Sequence, residues 1–442
     1  MDNALVVYIP LLGALLAAAC LVAAFRSGKR RCLVENLPTS KTTGVFIGLV
    51  ELKGTAEAAN PLTSYLAETQ CVYYQWSIAE HWSRTVIEHY TDEKGNSQTR
   101  TRTESGWNTV DNGGELIPFY LQDDCGVILV RPDNAKIEPV TLFNETCGMM
   151  DSLYYGKGPA GAVPDSTHQR RFVETGIPLH AALYVMGKAR EREDIVAPEI
   201  TEDKEAPMFL ISTRTEDQVR RGFQGSLIGW ALFGLILSVV GFVVRDAMWN
   251  RNWETQIGTY IFAAIGYVCA NALAWIWMVY NALVDLRNRV RQGWSQIDVQ
   301  LKRRHDLIPN LVNVVKAYRD YEQTLQSELA QLRTQLDATP PGVVGPNFHG
   351  VKETVIAIAE RYPELKANQQ FTSLQKNLIE TEERIALARG YFNEIAAHYN
   401  TRLEVIPERF VAGLGGMKAQ TLMLAEEFER APVSVAALNE SQ

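Results

Sequence analysis

The sequence is short of the residues that mark metal and redox proteins. Its six cysteines are Cys20, Cys32, Cys71, Cys125, Cys147 and Cys269. They form no C-x-x-C pair and two of them sit in apolar runs, so neither a zinc module nor a disulfide framework is indicated. Isolated thiols fit a reducing compartment. No G-x-S-x-G, H-E-x-x-H or phosphate-binding loop occurs, which removes the commonest hydrolase and phosphate-cradling signatures. A field of one sign is also missing: 43 Lys and Arg against 51 Asp and Glu leave a formal net charge of -8, spread along the chain. Without a dominant basic field, a nucleic-acid partner is not expected.

What the sequence has in quantity is apolar character. With 442 residues, 46% hydrophobic and 21% charged, it has room for two or three folded units. Three runs are apolar enough to cross a bilayer, which takes roughly 20 residues. They are Ala4 to Phe25, Leu227 to Val244 and Ile257 to Tyr280. The first is expected to be an anchor rather than a signal peptide, because Asp2 stands where a basic residue is usual and Arg26, Lys29, Arg30 and Arg31 follow the run. Asn271 interrupts the third run, as amides can when they face a partner helix. Arg220 and Arg221 precede the second span, and Arg287, Arg289 and Arg291 follow the third. With three crossings all these basic residues fall on one side, so the N-terminus is expected outside and both large segments in the cytoplasm.

Between the first two spans, 32–215 reads as short strands. Runs such as "GVFIGLVELKGTAEA", "QCVYYQWSIAEHW", "RTVIEHYT" and "LHAALYVMGKA" are bounded by Gly, Pro, Asn and Asp, a pattern that favours an antiparallel barrel or sandwich. "TDEKGNSQTRTRTESGW" is polar enough for a hairpin tip or loop, and "REREDIVAPEITEDKEAP" for a solvated excursion. Chemistry is scarce here. His81 and His89 beside Glu80 and Glu88 read as partly exposed strand residues rather than an acid/base pair. Asp123 and Asp124 beside Cys125 read as a turn before a strand.

Four stretches carry a resemblance: "GLVELKGTAEAANPLTSYLAETQCVYYQWSI", "PFYLQDDCGVILVRPDNAKI", "LHAALYVMGKA" and "PMFLISTRTEDQVRR", the last running into a span. Together they resemble the GIDE family, the domain between two spans in membrane-anchored RING-type ubiquitin ligases, found also in bacterial proteins. The ligases of that family depend on a C-terminal zinc-binding RING. Cys269 is the last cysteine here, so the resemblance implies the β-domain without the catalytic module.

From Tyr280 onward the pattern becomes helical over 281–442. With Trp294 at an a position, a heptad series runs Trp294, Ile297, Leu301, Arg304, Ile308, Leu311, Val315, Tyr318 and on to Leu336, interrupted at Arg304 and Glu322. Extended backwards it meets Val290 and Leu283 and enters the third span. One helix is expected to leave the membrane and run to about Asp337. Pro309 removes one backbone hydrogen bond from it, so the bend it imposes must be held by the packing of the stripe on both sides. After "DATPPGVVGPNFHG" a second stripe runs Phe371, Leu374, Leu378, Thr381, Ile385, Ala388, Phe392, Ile395 and Tyr399. An antiparallel helical hairpin is expected, completed by "LEVIPERFVAGL" and a last helix near "KAQTLMLAEEFER".

"YNALVDLRNRVRQGWSQIDVQLKRRHDLIPNLVNVVKAY" and "RYPELKANQQFTSLQKNLIETEERIALARGYFNEIAAHYNT" resemble the LemA family across roughly the last third of the chain. That resemblance implies an all-helical, membrane-anchored bacterial protein, to which no catalytic chemistry is generally ascribed. The Gly and His usual around "VKAYRDYE" stand here as Ala317 and Tyr321, which weakens any required histidine there.

These readings combine into a multi-domain membrane protein: three transmembrane helices, a β-rich GIDE-like domain and an all-α LemA-like long-helix bundle. No catalytic, cofactor or metal residues are expected. Arg287, Arg289, Arg291, Lys302, Arg303 and Arg304 are candidates for anionic lipid headgroups, at about 1 kcal/mol per basic residue near the surface; pairing with glutamates of the second helix is the other reading. Trp294, Ile297, Leu301, Ile308, Pro309, Leu311, Val315 and Tyr318 are expected to pack the bundle or an oligomer, since two stripes are hard to bury in one hairpin. The expected partners are membrane lipids and further copies of the chain, with another membrane protein as a further candidate. The expected role is a non-enzymatic scaffold at a bacterial inner membrane, with a ligase-like protein or an adaptor for a membrane protease or envelope-stress system as alternatives.

Overall fold

A computed structural model describes residues 3–91, 97–192, 197–203, 206–318 and 369–423. The chain divides into two compact units, 39–219 and a helical unit of 1–38 with 220–442.

Three helices of the helical unit are long and apolar enough to span a membrane: α1 (Asn3–Glu35), α3 (Glu216–Met248) and α4 (Trp253–Tyr318). Small residues let them approach. A Cβ at Gly13 of α1 would lie 3.0 Å from Leu237 O, and one at Gly241 of α3 would lie 3.1 Å from Pro10 Cα. A Cβ at Gly234 would collide with the Tyr267 hydroxyl of α4. Asn271 does not cross to a neighbour: its amide donates to Tyr267 O of its own helix at 3.0 Å.

α4 is one helix of 66 residues that leaves the third span and continues through Pro309. Opposite it lies α5 (Gln369–Glu404), followed by the short α6 (Glu408–Leu414). The heptad beyond Tyr318, the Pro-Gly break and the segment around Pro363 lie outside the described residues. Lys418 to Met423, the described part of the expected last helix, is not helical; its main chain bonds to side chains of α5 instead of to itself.

In the other unit β1 (Thr39–Ser40), β2 (Gly48–Glu57), β6 (Phe119–Gln122), β7 (Val127–Val130), β8 (Lys136–Glu138), β11 (Ala182–Glu191), β12 (Pro198–Thr201) and β13 (Leu210–Ser212) form one sheet. Within it β2, β6, β7, β12, β11 and again β2 close a five-stranded ring. Inward residues Val50, Leu52, Phe119, Leu121, Ile128, Val130, Val185 and Ile200 fill it. The barrel expected from the sequence is mostly antiparallel, with three parallel pairings, β1–β2, β7–β12 and β8–β13. Parallel neighbours need a long crossover. For β7–β12 and β8–β13 the chain supplies one by inserting β9 (Val140–Gly148), helix α2 (Ser152–Gly156) and β10 (Ser166–Pro178) before β11.

Those inserted strands join β3 (Leu62–Thr63), β4 (Gln70–Thr91) and β5 (Ser97–Leu116) in a second, antiparallel sheet. The runs "QCVYYQWSIAEHW" and "RTVIEHYT" are strand as read, but continuous in one 22-residue β4; the polar stretch falls at the tip end of the β4–β5 hairpin, one of its two readings, with most of it inside the 20-residue β5. Ladder pairing from Tyr73↔Leu116 to Thr91↔Ser97 makes polar residues strand-forming without any apolar face. β10 covers β4 only as far as Trp82, so the rest is a two-stranded ribbon. The acidic "excursion" likewise contains β12, with Ile200 fully buried and Glu199 at 2% exposure.

Candidate functional site

The two apolar stripes meet each other. Ile297, Leu301, Ile308 and Leu311 of α4 are buried, as are Phe371, Leu378, Ile385, Ala388, Phe392, Ile395 and Tyr399 of α5. Trp294 lies edge-on to Phe392, their rings 5.7 Å apart, and Pro309 is half-buried beside Ile308. The side chains of Val315 and Tyr318 are outside the described residues. Of the two expected readings, bundle or oligomer, the described residues of helices 4 and 5 show bundle packing, each burying the other's stripe within one chain.

The structure also splits the basic cluster. Arg291, Lys302 and Arg303 are exposed. Arg289 pairs with Asp285 one turn back, at 3.2 Å. Arg304 is not a headgroup ligand: it is 4% exposed on the stripe, with Nη1 3.8 Å from Glu382 Oε1 of α5. A long arginine buries its stem along the seam while its charge finds a carboxylate across it. Arg287 Nε and the Tyr399 hydroxyl are buried polar atoms without a hydrogen-bond partner. Burial raises the Tyr399 hydroxyl above its ordinary range, and the charges of Arg287 and Arg291 pull it back in part.

Sequence reasoning passed over two asparagines. Asn400 donates to Gln420 O and accepts from Gln420 N, each at 2.8 Å; Asn393 does the same with Met423 at the same distances. Seven residues on a helix cover about 10.5 Å, matching three residues of drawn-out chain. An amide offers one donor and one acceptor side, so each asparagine pairs with main chain without reading sequence. Between this segment and α4 lies a cavity of about 730 Å³ lined by Val290, Arg291, Trp294, Phe392, Leu422 and Met423. Below it Arg402, 7% exposed, bonds Glu408 twice at 2.6 Å and reaches Asn36 at the end of α1. Burial depresses His398 below its ordinary range, with Arg402 adding to the effect.

Buried charge in the β-domain is structural. Glu80 is fully buried and takes Arg170 Nη2 at 3.0 Å, the Tyr154 hydroxyl at 2.8 Å and the Ser166 hydroxyl at 2.5 Å. Burial pushes Glu80 up, but those donors outweigh it and hold the carboxyl below its ordinary range. His81 faces away, to Thr167 at 2.9 Å, so Glu80 and His81 are not a pair. Asp123 accepts from Thr42 N and Oγ1, Cys125 N and Gly126 N, the turn read from sequence. Asp123, Asp124 and Cys125 place possible ligand atoms within 4.8 Å of one another, but those donors engage both Asp123 oxygens. Glu51 differs. It is fully buried against the Tyr184 hydroxyl at 2.8 Å and Thr39 Oγ1 at 2.9 Å, and burial raises it to about 7.

Known proteins resemble the two halves separately. The model of the LemA family matches residues 293–436, and the GIDE model, described as E3 ubiquitin ligase, matches residues 87–245. The magnetosome protein MamQ 2 of Paramagnetospirillum magneticum is 23% identical over 190 residues, covering 36% of this chain and 68% of its own. MamQ of Magnetospirillum gryphiswaldense is 24% identical over 171 residues, 32% of this chain and 63% of its own. Protein LemA of Metamycoplasma hominis is 23% identical over 163 residues, 36% of this chain and 74% of its own. The chain thus joins a GIDE-type segment to a LemA-type segment, in a membrane-associated protein with three apolar helices.

Proposed function

We propose that this protein is a non-enzymatic scaffold of a bacterial inner membrane that presents the LemA-type hairpin and the β-domain on the cytoplasmic face and assembles with further copies of itself. The observation that carries the reading is the continuity of α4: one helix holds both the apolar span and the packed stripe, so the hairpin has no free linker to the membrane. Orientation rests on the basic residues that flank all three spans on one side. With the described parts of both stripes buried inside the chain, assembly falls to other surfaces. Gly258 and Gly266 in the span of α4 have open space where a Cβ would be, as a neighbouring copy's helix requires. Exposed Arg291, Lys302 and Arg303 supply charge for anionic headgroups.

The mass of the full-length protein in mild detergent tests assembly. A discrete oligomer that Gly258→Leu with Gly266→Leu dissociates supports the reading; a strict monomer removes it. A ligase-like activity is the second reading, favoured by the match to the E3 ubiquitin ligase description over 87–245. It needs stoichiometric zinc in the purified protein, and zinc analysis decides it.

A further inference from the structure

α6 is apolar on two sides. Its inner side, Val411 and Ala412, is buried against Val279 and Leu283 of α4, with Trp275, Leu403 and Met417 around them. A Cβ at Gly415 would lie 3.0 Å from the Tyr280 ring. Trp275, Val279 and Tyr280 are the last turns of the third apolar run. The first charged residue after that run is Asp285, about 7 Å further along the helix. α6 therefore lies beside α4 at the depth where the hydrocarbon ends.

The outer side of α6 is apolar and bare. Ile406 is 68% exposed, Phe410 66% and Leu414 87%, with Val405 at 49%. Phe410 and Leu414 are spaced i, i+4 on α6, so they share one face, and Ile406 is exposed in the turn just before the helix. At the same level α4 turns Trp277, 66% exposed, and Tyr280, 43% exposed, outward as an aromatic belt. Arg409 is exposed on the same helix, where a long side chain can reach a phosphate.

We propose that Ile406, Phe410 and Leu414 form a wedge that enters the acyl–headgroup boundary of the bilayer that α4 crosses. The occupant is lipid because the patch continues the lipid-facing surface of a span. This inference rests on α4 crossing the membrane. Through α6, and through Arg402 tied to both Glu408 and Asn36, the wedge would fix the end of α5 at the bilayer surface.

Spin labels in the full-length protein test it, with the exposed Cys125 and Cys269 replaced by serine and the protein reconstituted into phosphatidylcholine and phosphatidylglycerol vesicles. Labels go on Leu414→Cys, on Leu273→Cys as a mid-span reference and on Lys418→Cys as an aqueous reference. Collision with oxygen relative to a water-soluble nickel complex is read at each. The wedge is supported if the ratio at 414 is several-fold above that at 418 and below that at 273, and if Phe410→Glu lowers it. A ratio at 414 equal to that at 418 overturns the wedge alone. A label at 414 shielded from both reagents overturns it too, in favour of a protein covering the patch. A watery label at 273 overturns the span itself, and the wedge with it.

Discussion

Asn400 grips Gln420 from both sides of its main chain, donating to the carbonyl and accepting from the amide, each at 2.8 Å. With the matching pair at Asn393 and Met423, this holds a non-helical segment along α5 by side-chain amides. Hydrogen exchange of the full-length protein checks the grip. Asn400→Ala should speed exchange at Gln420, and Asn393→Ala at Met423, by about tenfold each, for roughly 1–1.5 kcal/mol lost per pair. Unchanged exchange in both variants would mean that the segment is held by something else.

Glu51 gives the β-domain a pH dependence of defined sign. Its folded-state value of about 7 lies above the ordinary 4.5, so folding favours the protonated form. Its contribution is complete below about pH 4.5 and is lost as pH rises through 7, a difference of roughly 3 kcal/mol at most. Glu51→Gln cannot ionise. Thermal melting in detergent at pH 5 and pH 8 should show the natural protein losing stability relative to this variant, and parallel curves would contradict it.

Arg170 and Glu80 are both fully buried, so removing one strands the other. Arg170→Met should cost about 3–5 kcal/mol. Adding Glu80→Leu should recover only part, because Arg170 also donates to Tyr154 O, Pro159 O and Gly161 O. Denaturant titration of the three proteins reads this directly; full recovery in the double variant would show that the carbonyl bonds contribute little.

The crossing of α1 and α3 has no room for a side chain at Gly241. Gly241→Leu should cost about 1–3 kcal/mol by overpacking. Gly229→Leu on the same helix, which meets nothing within 4 Å, should leave the melting temperature unchanged. Equal losses in both would mean that the helices pack otherwise than described.

The spans and both stripes were legible because hydrophobic periodicity is local: Leu283 through Leu311 and Phe371 through Tyr399 declare one buried face each without reference to any partner. Arg304 shows where such reading stops. As a sequence letter it belongs with Lys302 and Arg303, and only Glu382 on another helix turns it into a seam residue. The length of β4 and β5 was missed for the opposite reason, since a ladder of main-chain hydrogen bonds leaves no mark in side-chain alternation. Asn393 and Asn400 left a faint trace, a seven-residue spacing beside the stripe, whose meaning depends on Gln420 and Met423 arriving alongside.

By itself the sequence determined that this chain has three apolar helices, a β-rich segment after the first and helical stripes after the third, because burial of apolar surface is dictated by composition and period. The tertiary structure decided which faces were left over. Closure of the barrel, the mutual burial of the two stripes and the seating of α6 beside the last turn of a span depend on pairings between residues far apart in the chain. Those pairings are what leave Ile406, Phe410 and Leu414 uncovered at the depth where the hydrocarbon ends.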